Sequence, residues 1–477
     1  MNKNQLFTIA KFIIFSIFII SCDDDENSVT PKSNQDQESV EETIANDFSL
    51  KIGTKIFKEE AVKLIKGKDC YYIIGNLQSS WAGKNNLLKD YHGGAVDFYV
   101  CKLNKVGEKV WEKSFGTTRS EQAIDAALDK NGNLIIVCNN FTDAGFDPNN
   151  EIKGVFGTGR TQIYSIDPKG EIRYITKRAD ADKDIFALGL FINDESIDLI
   201  ECNAIGHPNV KFKSFDLNKG TLISNKQIEI TRPERFSIKR AVKLDDGYAL
   251  IGGSNDAGII KTNLAFEKEW YCKLNGILQD KAFDIVSTTD GYLITGVTNS
   301  EYQFVNGQKI YKIIHGSDRD KEVLLAKIDK YGHFLFTQGK DNISWQIGIG
   351  YLKTKHCTYP EYPEDDCGKI IKKISDDNYL VFCNASSHKN YNETGLENAG
   401  SITKGLMILS VDPTFKMRDT DNNTQRISWE SDFYKHVLKK KTLIKDVDDL
   451  IDVCIDGTNC MLLYNTNNDI YCRIIQI

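Results

Sequence analysis

The chain of 477 residues has no run of apolar residues long enough to cross a bilayer as a helix, which takes about 20. Its longest apolar core, Phe12–Ile20, stops short of that length. There is no surplus of positive charge either: the formal net charge is −7. Residues 23–47 carry −8 of it and residues 48–477 about −1, so no clustered basic surface is on offer to the phosphates of a nucleic acid. Histidine is scarce, with 7 in the chain, scattered mostly outside the apolar segments. No His-Glu-x-x-His, Gly-x-Ser-x-Gly, phosphate-binding loop or Cys-x-x-Cys occurs. The common sequence-local forms of zinc protease, serine hydrolase, nucleotide and dithiol chemistry are therefore missing. Enzymatic activity as such is not excluded, because sites on repeat scaffolds assemble from distant loops.

What is present begins at the N-terminus. Lys3 and Lys11 precede the short apolar core, and Ser21-Cys22 follow it, which is the layout of a secretion signal over residues 1–21. Ile19-Ile20-Ser21-Cys22 resembles the bacterial lipobox. That resemblance implies diacylglycerol on the Cys22 thiol and a further acyl chain on its freed amine, and two or more chains anchor stably where one is marginal. Residues 22–47 then read as a flexible tether, rich in Ser, Asn, Gln, Glu and Asp and with almost nothing to bury. The acidic run Asp23-Asp24-Asp25-Glu26 resembles the surface-export signal of Bacteroidota lipoproteins. The expected location is thus the outer membrane, lipid-anchored and facing outward, with the periplasmic face as the alternative.

Residues 48–477 are too many for one ordinary core and call for a repetitive fold. One strand pattern recurs seven times, with apolar residues leading to a small residue and often Asn. It reads Tyr72-Ile-Ile-Gly75-Asn, Ile135-Ile-Val-Cys138-Asn, Leu199-Ile-Glu-Cys202-Asn, Ala249-Leu-Ile-Gly252-Gly, Leu293-Ile-Thr-Gly296-Val, Leu380-Val-Phe-Cys383-Asn and Met461-Leu-Leu-Tyr464-Asn. Turn signals such as Asp129-Lys-Asn-Gly132 and Asp245-Asp-Gly247 precede it, and an alternating strand ending in Asp or Asn follows it. Seven residues after that Asp or Asn comes a large apolar residue of a fourth strand: Trp111, Tyr174, Ile223, Trp270 and Phe336, with Trp429 displaced by an insertion. Four antiparallel strands in seven copies predict an all-β, seven-bladed β-propeller, with two tandem β-sandwiches as the competing fold. The last copy lacks a fourth strand, and the alternation Phe48-Ser-Leu-Lys-Ile52 supplies it, closing the ring.

The repeats resemble the propeller-repeat family common in exported Bacteroidota proteins. The likeness is clearest in Gly291-Tyr-Leu-Ile-Thr-Gly296-Val-Thr-Asn-Ser300, Val100-Cys-Lys-Leu-Asn-Lys-Val-Gly107 and Trp111-Glu-Lys-Ser-Phe-Gly116. Such repeats imply a fold and no catalytic residue.

Six insertions, Leu77 to Val96, Asn140 to Arg160, Asn299 to Asp320, Gly339 to Gly368, Ala385 to Thr403 and Tyr434 to Asp448, are expected on one face of the ring. Binding residues concentrate in such loops. The candidates are Trp81, Tyr91, His92, Tyr302, Phe304, Trp345 and Tyr391, accompanied by Phe146, Phe156, Tyr311, Tyr359, Tyr362 and His388. A glycan or protein partner is the favoured reading; a polysaccharide hydrolase or lyase, or a structural envelope component, are the alternatives.

Of 12 cysteines, Cys138, Cys202 and Cys383 replace glycine in the repeat and read as small buried residues, as do Cys101 and Cys472 in the third strands. Cys357 and Cys367 share one insertion, where a disulfide would stabilise by about 3 kcal/mol. Zinc with His356 is the weaker option, since no third and fourth ligand stand at metal-site spacing. Asp180-Ala-Asp182-Lys-Asp184 and Asp419-Thr-Asp421-Asn-Asn423 alternate oxygen ligands in a way that suits calcium, yet lack the glycine and distal glutamate of a full loop, and solvated turns are the favoured reading.

Overall fold

The computed structural model describes residues 42–43, 48–53, 58–78, 96–105, 107–117, 120–141, 160–176, 185–203, 209–229, 237–253, 257–274, 280–298, 302–305, 308–311, 313–315, 321–334, 346–349, 366–388, 402–414 and 438–477. All regular elements among them are β-strands. Apart from one two-stranded hairpin, Tyr302–Val305 with Gln308–Tyr311, they form seven meandering sheets, the blades of a β-propeller.

From the inner to the outer edge, blade 1 runs through Glu59–Lys66, Cys70–Gln78, Val96–Asn104 and Lys109–Phe115. Blade 2 follows with Ser120–Leu128, Leu134–Phe141, Arg160–Ile166 and Ile172–Ile175, and blade 3 with Ile185–Ile192, Ser196–Asn203, Asn209–Asp216 and Leu222–Glu229. Blade 4 holds Ile238–Leu244, Gly247–Gly253, Ala257–Asn263 and Lys268–Leu274. Blade 5 holds Asp280–Thr288, Gly291–Thr298, Glu322–Asp329 and Gln346–Ile349, with Ile313–His315 added in parallel at its rim. Blade 6 comprises Cys367–Ser375, Asn378–His388, Ile402–Val411 and Leu438–Lys445. Blade 7 takes Asp449–Asp456, Asn459–Thr466 and Asp469–Gln476 from the end of the chain and Phe48–Ile52 from its beginning.

The ring therefore closes as the alternation of Phe48–Ile52 predicts, with Phe48 opposite Ile474 and Ile52 opposite Ile470. Just before it, Glu42–Thr43, inside the segment read as tether, pairs in parallel with Thr442 and Leu443 on the rim of blade 6. Seven apolar clusters, one at each blade-to-blade junction, form the core. The second strand of a blade, such as Cys70–Gln78, Gly247–Gly253 or Gly291–Thr298, is buried on both faces, which explains the continuous hydrophobic runs of the repeat.

The outer-strand aromatics share one task. Trp111 and Trp270 donate through Nε1 to Pro168 O and Lys330 O in the next blade's turn, and the Tyr174 hydroxyl donates to Leu217 O likewise. Each ring covers a glycine of that turn held at positive φ: Gly170 at 83°, Gly332 at 81° and Gly220 at 65°. The left-handed backbone and the ring above it both require that position to be glycine.

Two outer strands lie elsewhere than the sequence pattern places them. Phe336 and Trp429 are outside the described residues, and the outer strands of blades 5 and 6 are Gln346–Ile349 and Leu438–Lys445. In blade 5 the third strand turns as tightly as elsewhere, with Asp329 N donating to His333 O and Phe334 bridging back to Ile328, but regular pairing of the outer strand is described only over Gln346–Ile349. In blade 6 residues 412–437 precede the outer strand, which is too lysine-rich to stand out in the sequence.

In a four-stranded meander, connections between second and third strands and between successive blades leave from one face, here called upper. The others leave from the lower face. Residues 79–95, 142–159, 299–321, 350–366 and 389–401 link strand ends on the upper face, but 330–345 and 412–437 link ends on the lower one. Tyr434 to Asp448 is not an insertion, since most of it is the outer strand of blade 6. The expectation that every long connection loads one face is therefore corrected to five above and two below.

Candidate functional site

The inner strands carry the feature that the repeat pattern did not reveal. Neighbouring inner strands touch one another around the full circle, so they wall the central channel. Each contains a β-bulge near its upper end, and the extra residues are Val62, Ile124, Leu188, Lys239, Phe283, Lys369 and Ile451. A bulge breaks the alternation of the strand and re-aims a side chain.

The bulges are latched from blade to blade. Asn76 follows the small residue of blade 1; its Oδ1 accepts Ala123 N at 2.8 Å and its Nδ2 donates to Ala123 O at 3.1 Å, beside the bulge of blade 2. Asn139, Asn384 and Asn465 accept Ala187 N, Leu450 N and Ala61 N in the same way. This is the physical reason for Asn in the repeat. In blade 3 the register shifts by one: Glu201, not Cys202, sits opposite the residue before the bulge, and its carboxylate is buried against Lys213 Nζ at 2.8 Å.

Immediately after the bulges stand Lys63, Asp125, Gly189, Arg240, Asp284, Ile370 and Asp452, and five of these are charged. Asp125 Oδ2, Asp284 Oδ2 and Asp452 Oδ2 accept the backbone N–H of Leu190, Ile371 and Leu64 in the following blade, at 2.9–3.1 Å. Lys63 Nζ lies 3.0 Å from Asp125, and Arg240 Nη1 lies 3.6 Å from Asp284. Desolvation works to lower the pKa of Lys63, but the Asp125 and Asp452 carboxylates outweigh it and hold the ammonium protonated. Arg240 is likewise raised, with Asp284, Asp125 and Asp452 overcoming the penalty of burial. The Arg240 side chain is walled on all sides by the ring yet remains 42 % exposed, because the channel is open to water.

Above this layer a cavity of about 250 Å³ opens among the inner strands of blades 4 to 7. Lys239, Arg240, Phe283, Lys369, Ile370 and Ile451 wall it, with no acid among its lining residues. Lys369 Nζ sits 5.7 Å from the centre of the Phe283 ring and 3.0 Å from Asp449 Oδ1. Lys239 is exposed and makes no hydrogen bond or ion pair among the described residues. Pairs such as Lys239–Arg240 and Phe283–Asp284 adjoin in sequence, and the bulges bring them to one wall.

The sequence-predicted residues fall differently. Cys22, Trp81, Tyr91, His92, Trp345, Tyr391 and Cys357 lie outside the described residues, as do the aspartates of both candidate calcium segments. Tyr302 and Phe304 are on a hairpin in the upper connection of blade 5, opposite Tyr311 and Lys309. Cys367 opens the inner strand of blade 6, opposite Asn384. Burial pushes the Cys101 and Cys202 thiols up to about 11 and that of Cys138 well above its ordinary value, which keeps them protonated and inert. A signal for the channel residues did exist: Ala123-Ile-Asp125 and Ala282-Phe-Asp284 repeat within the inner strands.

No family model matches the chain, and neither does any curated protein. Solved structures do. Drosophila Plexin A in complex with Semaphorin 1b is 8% identical with a TM-score of 0.42, over 92% of this chain and 88% of that one. The β-propeller domain of the Trilobed protease from Pyrococcus furiosus is 10% identical with a TM-score of 0.35, over 86% and 92%. The GH43_1 enzyme from Xanthomonas citri complexed with xylotriose is 11% identical with a TM-score of 0.32, over 53% and 84%. The likeness is one of fold.

Proposed function

We propose that this chain is a lipid-anchored, surface-displayed binding protein that takes a glycan or protein ligand on the upper face of its propeller. The observation that carries the reading is a coincidence of position: five long connections start and end on the face nearest the upper ends of the inner strands, whose residues line the cavity. Loops around a rigid concavity are the usual seat of recognition.

Binding is favoured over hydrolysis by the state of the channel carboxylates. A hydrolytic pair needs one acid free to give a proton and another free to attack or to activate water. Asp125, Asp284 and Asp452 instead hold backbone N–H groups of neighbouring blades and face Lys63 and Arg240. They brace the ring. Anchoring rests on the signal layout and Cys22, and the surface location on the acidic run after it.

Two measurements test the proposal. Cys22→Ala is expected to move the protein from the detergent phase to the aqueous phase, and retention in detergent would refute the anchor; protease treatment of intact cells separates surface from periplasm. After a ligand is found by glycan array and pull-down with the purified propeller, replacing residues 80–94 and 300–311 by tight turns, which spares the rim strand Ile313–His315, is expected to abolish its binding at an unchanged melting temperature. Unchanged affinity would move the binding face elsewhere.

A further inference from the structure

We infer that the cavity at the upper mouth of the channel is a subsite for a singly charged carboxylate carried on a sugar ring, as in a uronic-acid residue of an acidic polysaccharide. The inference rests on the binding role proposed above and names the chemistry of its ligand.

The charge balance of the cavity selects the valence. Three cations line it, Lys239, Arg240 and Lys369. Asp284 stands 3.6 Å from Arg240, and Asp449 stands 3.0 Å from Lys369, so each of these cations already has a carboxylate beside it. Lys239 has none among the described residues. Lys239 is thus the one lining cation with no carboxylate at ion-pair distance among the described residues, which suits a ligand that brings a single negative charge to it.

Geometry selects the group. The Arg240 contact to Asp284 is long and uses Nη1 alone, leaving guanidinium donors for a planar acceptor. A guanidinium fork meets a carboxylate with two parallel hydrogen bonds, while an ammonium such as Lys239 adds a point charge. Asp284 stays in place because its Oδ2 is committed to Ile371 N. Arg240 is thereby oriented by the ring rather than neutralised within it.

Phe283 selects what carries the carboxylate. It is the extra residue of the blade 5 bulge, half-buried, and it presents an aromatic wall in a cavity otherwise bounded by cations and aliphatic groups. The C–H face of a pyranose ring packs on such a surface while its carboxylate reaches the cations. At about 250 Å³ the cavity is smaller than a typical drug-sized pocket, which fits a single residue of a chain that continues out of the channel.

The test uses titration calorimetry on the lipid-free propeller with its tether, with trigalacturonate as the probe. Binding is expected to weaken about tenfold or more in Lys239→Glu, since a charge-assisted contact is replaced by repulsion. Lys239 supports no other described side chain, so this variant keeps its fold; Lys130→Glu, on the lower face, is the control and should bind normally. Neutral trigalactose is expected not to bind, and inorganic phosphate to compete no better than acetate. Equal binding of the neutral trisaccharide, or unchanged binding in Lys239→Glu, overturns the subsite while leaving the upper-face reading intact. Displacement by phosphate at lower concentration than acetate assigns the site to phosphate and also overturns it. A hexaglutamate peptide that binds where trigalacturonate does not overturns the saccharide. If a ligand found independently binds a protein with shortened upper connections and Lys239→Glu as well as it binds the unaltered one, both readings fall.

Discussion

Between blades 1 and 2, Asn76 exchanges two hydrogen bonds with the backbone of Ala123, and Lys102 and Lys113 reach Pro168 O and Gly170 O across the junction. Between blades 3 and 4 the place of Asn76 is taken by Cys202, and Gly189 stands where three of the other inner strands have Asp. That junction is filled with rings instead: Phe212 stacks on Phe266 at 4.8 Å, and Phe191 and Phe212 flank Tyr248 at 5.2 and 5.7 Å. The Tyr248 hydroxyl donates to Asp198, which leaves a polar tie at the lower end. One junction is thus tied by an amide latch beside the bulge, and the other, which lacks the amide, is packed with rings toward its lower end. The geometry is imposed by the ring, and the chemistry that holds it is free to vary as long as buried backbone groups are paired and space is filled.

Breaking the aromatic junction should have the larger effect. Phe212→Ala removes a ring that touches both Phe266 and Tyr248, and a loss of about 3–5 kcal/mol in unfolding free energy is expected from denaturant titration. A loss under about 1 kcal/mol would mean that the junction collapses onto the gap or was never held by packing.

A sharper comparison comes from one substitution made at equivalent places. Asn76→Ala leaves both polar groups of Ala123 buried without their partner and should cost about 2–3 kcal/mol, whereas Cys202→Ala forfeits only packing, about 1 kcal/mol or less. Similar losses at the two positions would show that the amide latch contributes nothing beyond its volume. The same chemical denaturation curves check both.

The residues most readable in the sequence were those whose structure is decided by near neighbours. Tight Asp/Asn-Gly turns and alternating third strands located the hairpins of blades 1, 2, 4 and 5, and Phe48–Ile52 was recognisable as the strand the last repeat lacks. The outer strands of blades 5 and 6 were not, because residues 335–345 lie between the tight turn at Gly332 and Gln346, and residues 412–437 precede Leu438. Blade 3 was misaligned by one residue at Glu201, where a buried ion pair with Lys213 occupies a position that the repeat pattern reserves for a small side chain.

Repeat number and strand order were therefore determined by the sequence alone, since each follows from periodicity and turn chemistry within a few tens of residues, and ring closure was legible because the last repeat lacks the strand that Phe48–Ile52 supplies. Which side chains meet in the channel was decided only by the tertiary structure. Leu64 N finds Asp452 across 388 positions of sequence, and Lys239 finds Lys369 and Phe283 only after seven sheets have closed into a circle. The bulges add the second reason. An extra residue in each inner strand depends on the contact between successive inner strands, not on local propensity, and it is this displacement that turns neighbouring residues toward a common cavity.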